Sequence, residues 1–431
     1  MSRKSKNITV FEHQRLDLGV TINGVKFDKD KFEALERYYG KEGVPYYSLT
    51  NKGIKFNEYV GVIQIGKTVI EVLPKADKNN DNGDAKQNRW RDILTGMLLS
   101  VGLFDIKSPS SSSLRIKPNS ILDLYFELFL NEVDYLMRQG LIKQYRKKEG
   151  NMFALKGNLR FGQHIQQNLT HQERFYVRYT AYDTQHKLHY ILYKAIKMLQ
   201  QVNTKTELQS RIGSLILNFP EMPDIAINES TFEKIVYTRK TQPYQKAIEI
   251  ARLLLLHYHP DLITGRNHVL ALMFDMNKLW ERFVYVSLRK NLAPGNTITA
   301  QTSKYFWTSD KGTKTRIRPD IVINKEKDDC VVLDTKWKLL KDNRPSDDDL
   351  KQMFVYHEYY KAKKVALVYP GVELIPSDGK YNRTGKENSL LSGKKCSVIP
   401  IKVISNIRGW QGKIKEDIWE WVEKEEELCA E

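Results

Sequence analysis

Hydrophobic positions change their spacing twice along this chain. Through roughly the first hundred residues they alternate or gather in short β-branched runs. Tyr59-Val60-Gly61-Val62-Ile63 and Thr68-Val69-Ile70-Glu71-Val72-Leu73-Pro74 read as strands, and a single helix is expected near Trp90 to Val101. From Ser120 the spacing becomes helical. Ile121 to Arg138 is strongly apolar and ends at Gly140, and Lys187 to Val202 and Pro243 to His257 continue the helical pattern. Beyond Gly265 the order becomes helix (277–291), two strand-like runs, helix (347–361), strand (364–369) and strand (397–404). The polar stretch Asp77 to Asn88 reads as a surface loop, and Ser108-Pro109 followed by Ser110 to Ser113 as a second exposed segment. These seams predict an α/β multidomain chain: a β-rich N-terminal domain (1–107), a mainly helical middle region (108–265) and a C-terminal domain (266–431).

The two runs near residue 330 carry the chemistry. Arg318-Pro319-Asp320-Ile321-Val322-Ile323 and Val331-Val332-Leu333-Asp334-Thr335-Lys336 are separated by a polar turn, Asn324 to Asp329. An antiparallel hairpin brings Asp320 near Asp334. Side chains alternate along a strand, so Asp334 and Lys336 share one face. Two carboxylates with a strand-end carbonyl suit Mg²⁺, a hard cation that prefers oxygen, and Mn²⁺ is a substitute of similar chemistry. Asp84-Ala85-Lys86 repeats the D-x-K spacing, but no apolar strand surrounds it. Context therefore selects Asp320, Asp334 and Lys336.

The neighbouring elements supply further candidates. Ser346 followed by Asp347, Asp348 and Asp349 is a helix start. Within that helix Gln352 and Tyr356 stand four apart, on one face. The earlier helix carries Glu281 among apolar positions.

This set resembles the PD-(D/E)xK nuclease superfamily: Glu281 on the first core helix, Pro319-Asp320, Asp334-x-Lys336, and the Gln352-x-x-x-Tyr356 helix also seen in RecB-like nucleases. The whole chain is similar to the McrC family, nuclease subunits of McrBC-type modification-dependent restriction systems. Phe274-Asp275-Met276-Asn277-Lys278-Leu279-Trp280-Glu281-Arg282-Phe283-Val284 and Tyr59-Val60-Gly61-Val62-Ile63 support this likeness. The resemblance implies a nuclease domain with a mixed sheet flanked by helices, and Mg²⁺-dependent cleavage of double-stranded DNA. Asp320 and Asp334 would hold metal, Lys336 would serve the attacking water, and Gln352, Tyr356 and Glu281 would position substrate. It also implies a partner, a McrB-like AAA+ GTPase hexamer whose hydrolysis the chain stimulates, docked by the N-terminal half.

One motif runs against this reading. Gly61-Val62-Ile63-Gln64-Ile65-Gly66-Lys67-Thr68 satisfies the P-loop pattern G-x-x-x-x-G-K-[ST]. A phosphate-cradling loop leads into a helix, whereas this segment is β-branched and followed by another strand pattern. A hairpin is expected instead.

Charge agrees with a polyanionic partner. The formal charge is +17, and each Lys or Arg that neutralises a phosphate releases a counterion. Arg146-Lys147-Lys148, and Lys311, Lys314, Arg316 and Arg318 leading into Asp320, are candidate phosphate contacts. Cys330, Cys396 and Cys429 are too scattered for a disulfide framework or a zinc site, and no run has signal-peptide or membrane-span character. A cytoplasmic protein without membrane contact is expected. His257-x-His259 and His186-x-x-His189 lack the partners of a metal site, and the Trp419 and Trp421 tail reads as a packed terminal helix. The rival readings are a solitary RecB-like repair nuclease and a non-catalytic DNA-binding adaptor.

Overall fold

The computed structural model describes residues 7–41, 43–75, 83–101, 121–259, 268–290, 292, 295–338, 340, 344–371, 376–382 and 391–424. The chain divides into two compact units: 1–63, 68–107 and 273–431 form one, and 64–67 with 108–272 the other. The segments expected as separate N-terminal and C-terminal domains therefore share one unit. The serine-rich seam at 108–113, the boundary at Gly265 and Cys429 lie outside the described residues, as does the first half of the polar stretch from Asp77 to Asn88. Asp84 to Asn88, expected in that loop, instead open the helix Asp84–Ser100.

In the first unit a six-stranded mixed sheet runs in the order Ile298–Ala300, Ile321–Ile323, Val331–Thr335, Lys364–Gly371, Leu391–Lys402, Ser377–Asn382. Its three central strands pair in parallel and its edges antiparallel. Inner strands buried on both faces must be apolar on both, which explains Ile321-Val322-Ile323 and Val331-Val332-Leu333. One face takes the helix Asp347–Tyr360, whose Met353, Tyr356 and Tyr360 pack against Val322, Val332, Val365 and Leu367. Ser346 and Asp349 cap each other's backbone at the start of this helix, and Lys361, left-handed at φ 49°, ends it. The helices Met276–Arg289 and Ile407–Glu423 carry Trp280 and Trp410, whose rings stack at 5.4 Å.

The N-terminal strands belong to the same unit. Asn7–Phe11 runs parallel to Thr68–Leu73, and a small antiparallel sheet joins Arg15–Asp17, Gly53–Phe56 and Tyr47–Thr50. Trp337 ties these parts together. Its ring meets Trp90 at 6.5 Å and Trp280 at 5.6 Å, and its indole N–H donates to Glu12 at 2.8 Å. Aromatic contacts of this kind fix the strand end that carries Lys336.

Tyr59–Ile65 and Thr68–Leu73 are adjacent strands joined at Gly66-Lys67, with no helix following. The P-loop spelling is thus a hairpin.

The second unit holds the expected helices as Ile121–Gln139, Lys187–Val202 and Gln245–Leu256. It also holds something the helical pattern hid. Gln144–Met152 and Phe175–Asp183 form a nine-residue antiparallel pair, extended by Asn158–Leu159. The basic run Arg146 to Lys148 lies on this ribbon, where Asp183 accepts from Arg146 at 3.3 Å and Lys148 at 2.6 Å. His186 caps the helix at Leu188, and buried His189 bonds Thr184 O and the Tyr244 hydroxyl. Both histidines have structural partners.

Candidate active site

Antiparallel pairing sets Ile321 opposite Leu333, so Asp320 and Asp334 stand side by side at the strand ends. Asp320 turns its Oδ2 to the neighbouring strand, accepting from Thr335 N at 2.7 Å and Thr335 Oγ1 at 2.8 Å. That anchor orients the carboxylate. Asp334 is 1 % exposed, and its Oδ2 lies 2.6 Å from Lys336 Nζ in an ion pair. Beyond that contact Oδ2 accepts no hydrogen bond among the described residues. A buried carboxylate oxygen with one cationic neighbour and free lone pairs is a ligand-ready atom.

Lys336 is held from three sides. Its N–H bonds Val368 O at 3.0 Å, and its ammonium meets Asp334 and, at 3.3 Å, Gln352 Oε1. Gln352 Nε2 donates to the Tyr356 hydroxyl at 2.8 Å, which donates to Arg318 O at 3.2 Å. A single chain of contacts therefore runs from Asp334 through Lys336, Gln352 and Tyr356 to Arg318, two residues ahead of Asp320. Glu281 sits half-buried on its helix, accepting from Gln301 Nε2 at 2.9 Å.

The electrostatics follow from crowding acids in low dielectric. Burial, then the Asp320 charge, push Asp334 up to about 7, against the opposing pull of Lys336. Burial likewise raises Asp320, and burial and the Asp320 charge raise Glu281. Burial disfavours the Lys336 ammonium, yet Asp334 and Asp320 outweigh it and hold the amine protonated. Shifts of this kind are common where acids and bases are set for chemistry.

All six residues singled out in the sequence converge here. Others carried no such signal. Asp349, which reads as a helix-capping acid, is also buried and accepts from Lys338 at 2.5 Å and the Tyr369 hydroxyl at 3.4 Å. Glu12 backs the site through Trp337, and burial pushes its carboxyl up to about 7. Beside the site a groove of about 680 Å³ runs between Phe306, Arg316 and Arg318 on one side and Gln352, Val355 and Tyr356 on the other. Among the described residues no cluster of three or more His, Cys, Asp or Glu is placed to hold a metal. Oxygen from two carboxylates still fits Mg²⁺, which takes one or two carboxylates and completes its shell from water and phosphate.

Three comparisons bear on this arrangement. Against solved structures, the chain aligns with one in the refined half-complex from the tetradecameric assembly of Thermococcus gammatolerans McrB AAA+ hexamers with bound McrC. The TM-score is 0.68 at 19% identity, covering 96% of this chain and 100% of that one. A chain of the cryo-EM structure of the Thermococcus gammatolerans McrBC complex aligns less well, with TM-score 0.48, 19% identity, and 67% and 88% coverage. No curated protein matches. The family model described as McrBC 5-methylcytosine restriction system component matches residues 54–370, well over half of the sequence. This chain belongs to that family of restriction-system components.

Proposed function

We propose that the chain is the nuclease subunit of a McrBC-type restriction system, a Mg²⁺-dependent endonuclease that cuts double-stranded DNA when assembled with an AAA+ GTPase hexamer and stimulates its GTP hydrolysis. The observation that carries this reading is the convergence of Asp320, Asp334 and Lys336 on one strand end. Asp320 and the free lone pairs of Asp334 Oδ2 would hold the cation. Bound there, Mg²⁺ would supply charge neutralisation at the scissile phosphate and a lowered pKa for a bound water. Lys336 keeps its proton, so it orients the attacking water and balances charge as it develops on the phosphate. Gln352 and Tyr356 fix that ammonium and present polar atoms to the groove where the phosphate backbone would lie. Glu281 lies near enough to feel the Asp320 charge and, held by Gln301, would help position substrate.

The partner is supported by the Thermococcus half-complex, whose McrC is bound to McrB hexamers. The second unit offers a surface for such a partner. Phe153, Phe161, Ile165 and Leu169 are between 61 % and 77 % exposed, an apolar display that marks contact sites. Because residues 1–63 and 68–107 share a unit with 273–431, docking is best tested in the full chain.

The test combines purified chain, its AAA+ GTPase, GTP, Mg²⁺ and double-stranded DNA. Cleavage that requires all five components agrees with the proposal. Equal cleavage in EDTA, or none in the complete mixture with a target taken from the system's own host range, would overturn it.

A further inference from the structure

The ribbon formed by Lys304–Thr308 and Lys314–Ile317 lies just ahead of Asp320 and is exposed on both faces. Isolated two-stranded ribbons are marginal unless an apolar face is covered. This one nevertheless carries three consecutive aromatics, Tyr305, Phe306 and Trp307, that are 53 %, 43 % and 57 % exposed. Core packing does not account for them.

Each has a distinct setting. Tyr305 is bracketed by Lys314 at 4.8 Å and Arg316 at 4.6 Å from its ring. Phe306, at a register shift, rests against Tyr359 at 5.4 Å and lines the groove beside Gln352. Trp307 makes no ring contact among the described residues. The tip is shaped by Ser309 and Thr313, with Gly312 at φ 80°, and it presents Lys311 outward.

The ribbon is also fixed to the catalytic helix. Lys304 Nζ donates to Tyr359 O at 2.9 Å, and the Tyr360 hydroxyl donates to Thr302 O at 2.9 Å. Gln301 N donates to Asp320 O at 2.9 Å. Its orientation is therefore set by the same helix that holds Gln352 and Tyr356.

Lys304, Lys311, Lys314, Arg316 and Arg318 face a single acid, Asp310, over residues 301–318. A two-stranded ribbon of this size fits a DNA groove, its cations match phosphates, and exposed aromatics wedge against bases. We infer that the Lys304–Ile317 ribbon is a DNA grip that holds the duplex beside the candidate site, with Lys311 and Lys314 on phosphates and Trp307 against a base step. This inference rests on the nuclease reading only for its purpose; gripping DNA requires no cut.

The full chain, without divalent metal, is titrated against a fluorescent duplex by anisotropy over a salt series. Replacing Lys311 and Lys314 by Ala is expected to flatten the log affinity against log salt slope by about 1.8, or 0.9 per lost phosphate contact. Trp307→Ala is expected to weaken binding about tenfold, the scale of one lost stacking contact, while Trp307→Phe keeps most of it. Thermal unfolding matching the parent confirms that these exposed changes leave the fold intact. Unchanged slope and affinity in all three variants would overturn the grip, as would intact DNA binding with selective loss of the GTPase partner. Binding that weakens as expected in a chain that never cleaves would refute the nuclease reading and leave the grip standing.

Discussion

Asp334→Asn removes an ionisation while keeping size and shape, which makes it a probe of how the site is poised. In the folded chain burial and Asp320 raise this carboxyl from the ordinary 3.8 to about 7. A group whose folded pKa is raised stabilises the fold fully below its unfolded value, and that stabilisation is lost as pH rises through the folded value. The window therefore runs from about pH 4 to pH 7. At about 1.36 kcal/mol per pH unit the displacement amounts to roughly 4 kcal/mol, and partial solvent access to Asp320 and Lys336 lowers the expected effect to about 2–4 kcal/mol. Metal-free wild type should thus lose stability between pH 4 and pH 7, and the Asn variant should lack that slope and be the more stable protein at pH 8. Urea unfolding at pH 4, 5.5, 7 and 8 reads this directly. Adding Mg²⁺ at pH 8 should then restore wild type by about 1.4 kcal/mol per tenfold excess over its dissociation constant, and leave the variant unmoved. Parallel pH profiles would refute the electrostatic reasoning, and equal stabilisation of both proteins by Mg²⁺ would refute Asp334 as a ligand.

Lys336→Ala should lower the cleavage rate by about 10²- to 10³-fold, as when one preorganised charge-stabilising group is removed, with GTPase stimulation unchanged. Gly53→Ala should destabilise by about 1–3 kcal/mol, because its Cβ would lie 2.2 Å from the Leu16 carbonyl oxygen on the paired strand; a denaturation midpoint equal to the parent's would contradict this. Phe161→Ser with Ile165→Ser should reduce stimulation of the partner's GTP hydrolysis while thermal stability stays within about 0.5 kcal/mol of the parent, since both side chains are already in solvent. Full stimulation would place the partner elsewhere.

The readable parts of the sequence were those where local pattern and long-range structure agree. Asp320, Asp334 and Lys336 flank short β-branched apolar runs separated by a polar turn, a strand-like pattern that the antiparallel pairing of Ile321 with Leu333 matches. Lys187–Val202 has helical spacing along its whole length and matches its expected bounds. Two features escaped for opposite reasons. The Gln144–Met152 ribbon alternates half-buried and exposed positions with mostly polar residues, so it offered no apolar strand signal. The union of the N-terminal strands with residues 273–431 depends on contacts such as Glu12 to Trp337, separated by 325 positions, which no local window registers. Glu12 near the site was hidden for that same reason, while Asp349 was legible only as a helix-capping acid. Asp84-Ala85-Lys86 and the Gly61 to Thr68 spelling were readable as decoys because their neighbours have the wrong periodicity for the chemistry.

The most direct test of the account is DNA cleavage by the Asp334→Asn chain assembled with its AAA+ GTPase, GTP and Mg²⁺. The expected result is no detectable product alongside undiminished GTP hydrolysis. Product formed at the wild-type rate by a folded variant would show that Asp334 does not take part in the cut, and the assignment of this site would fall.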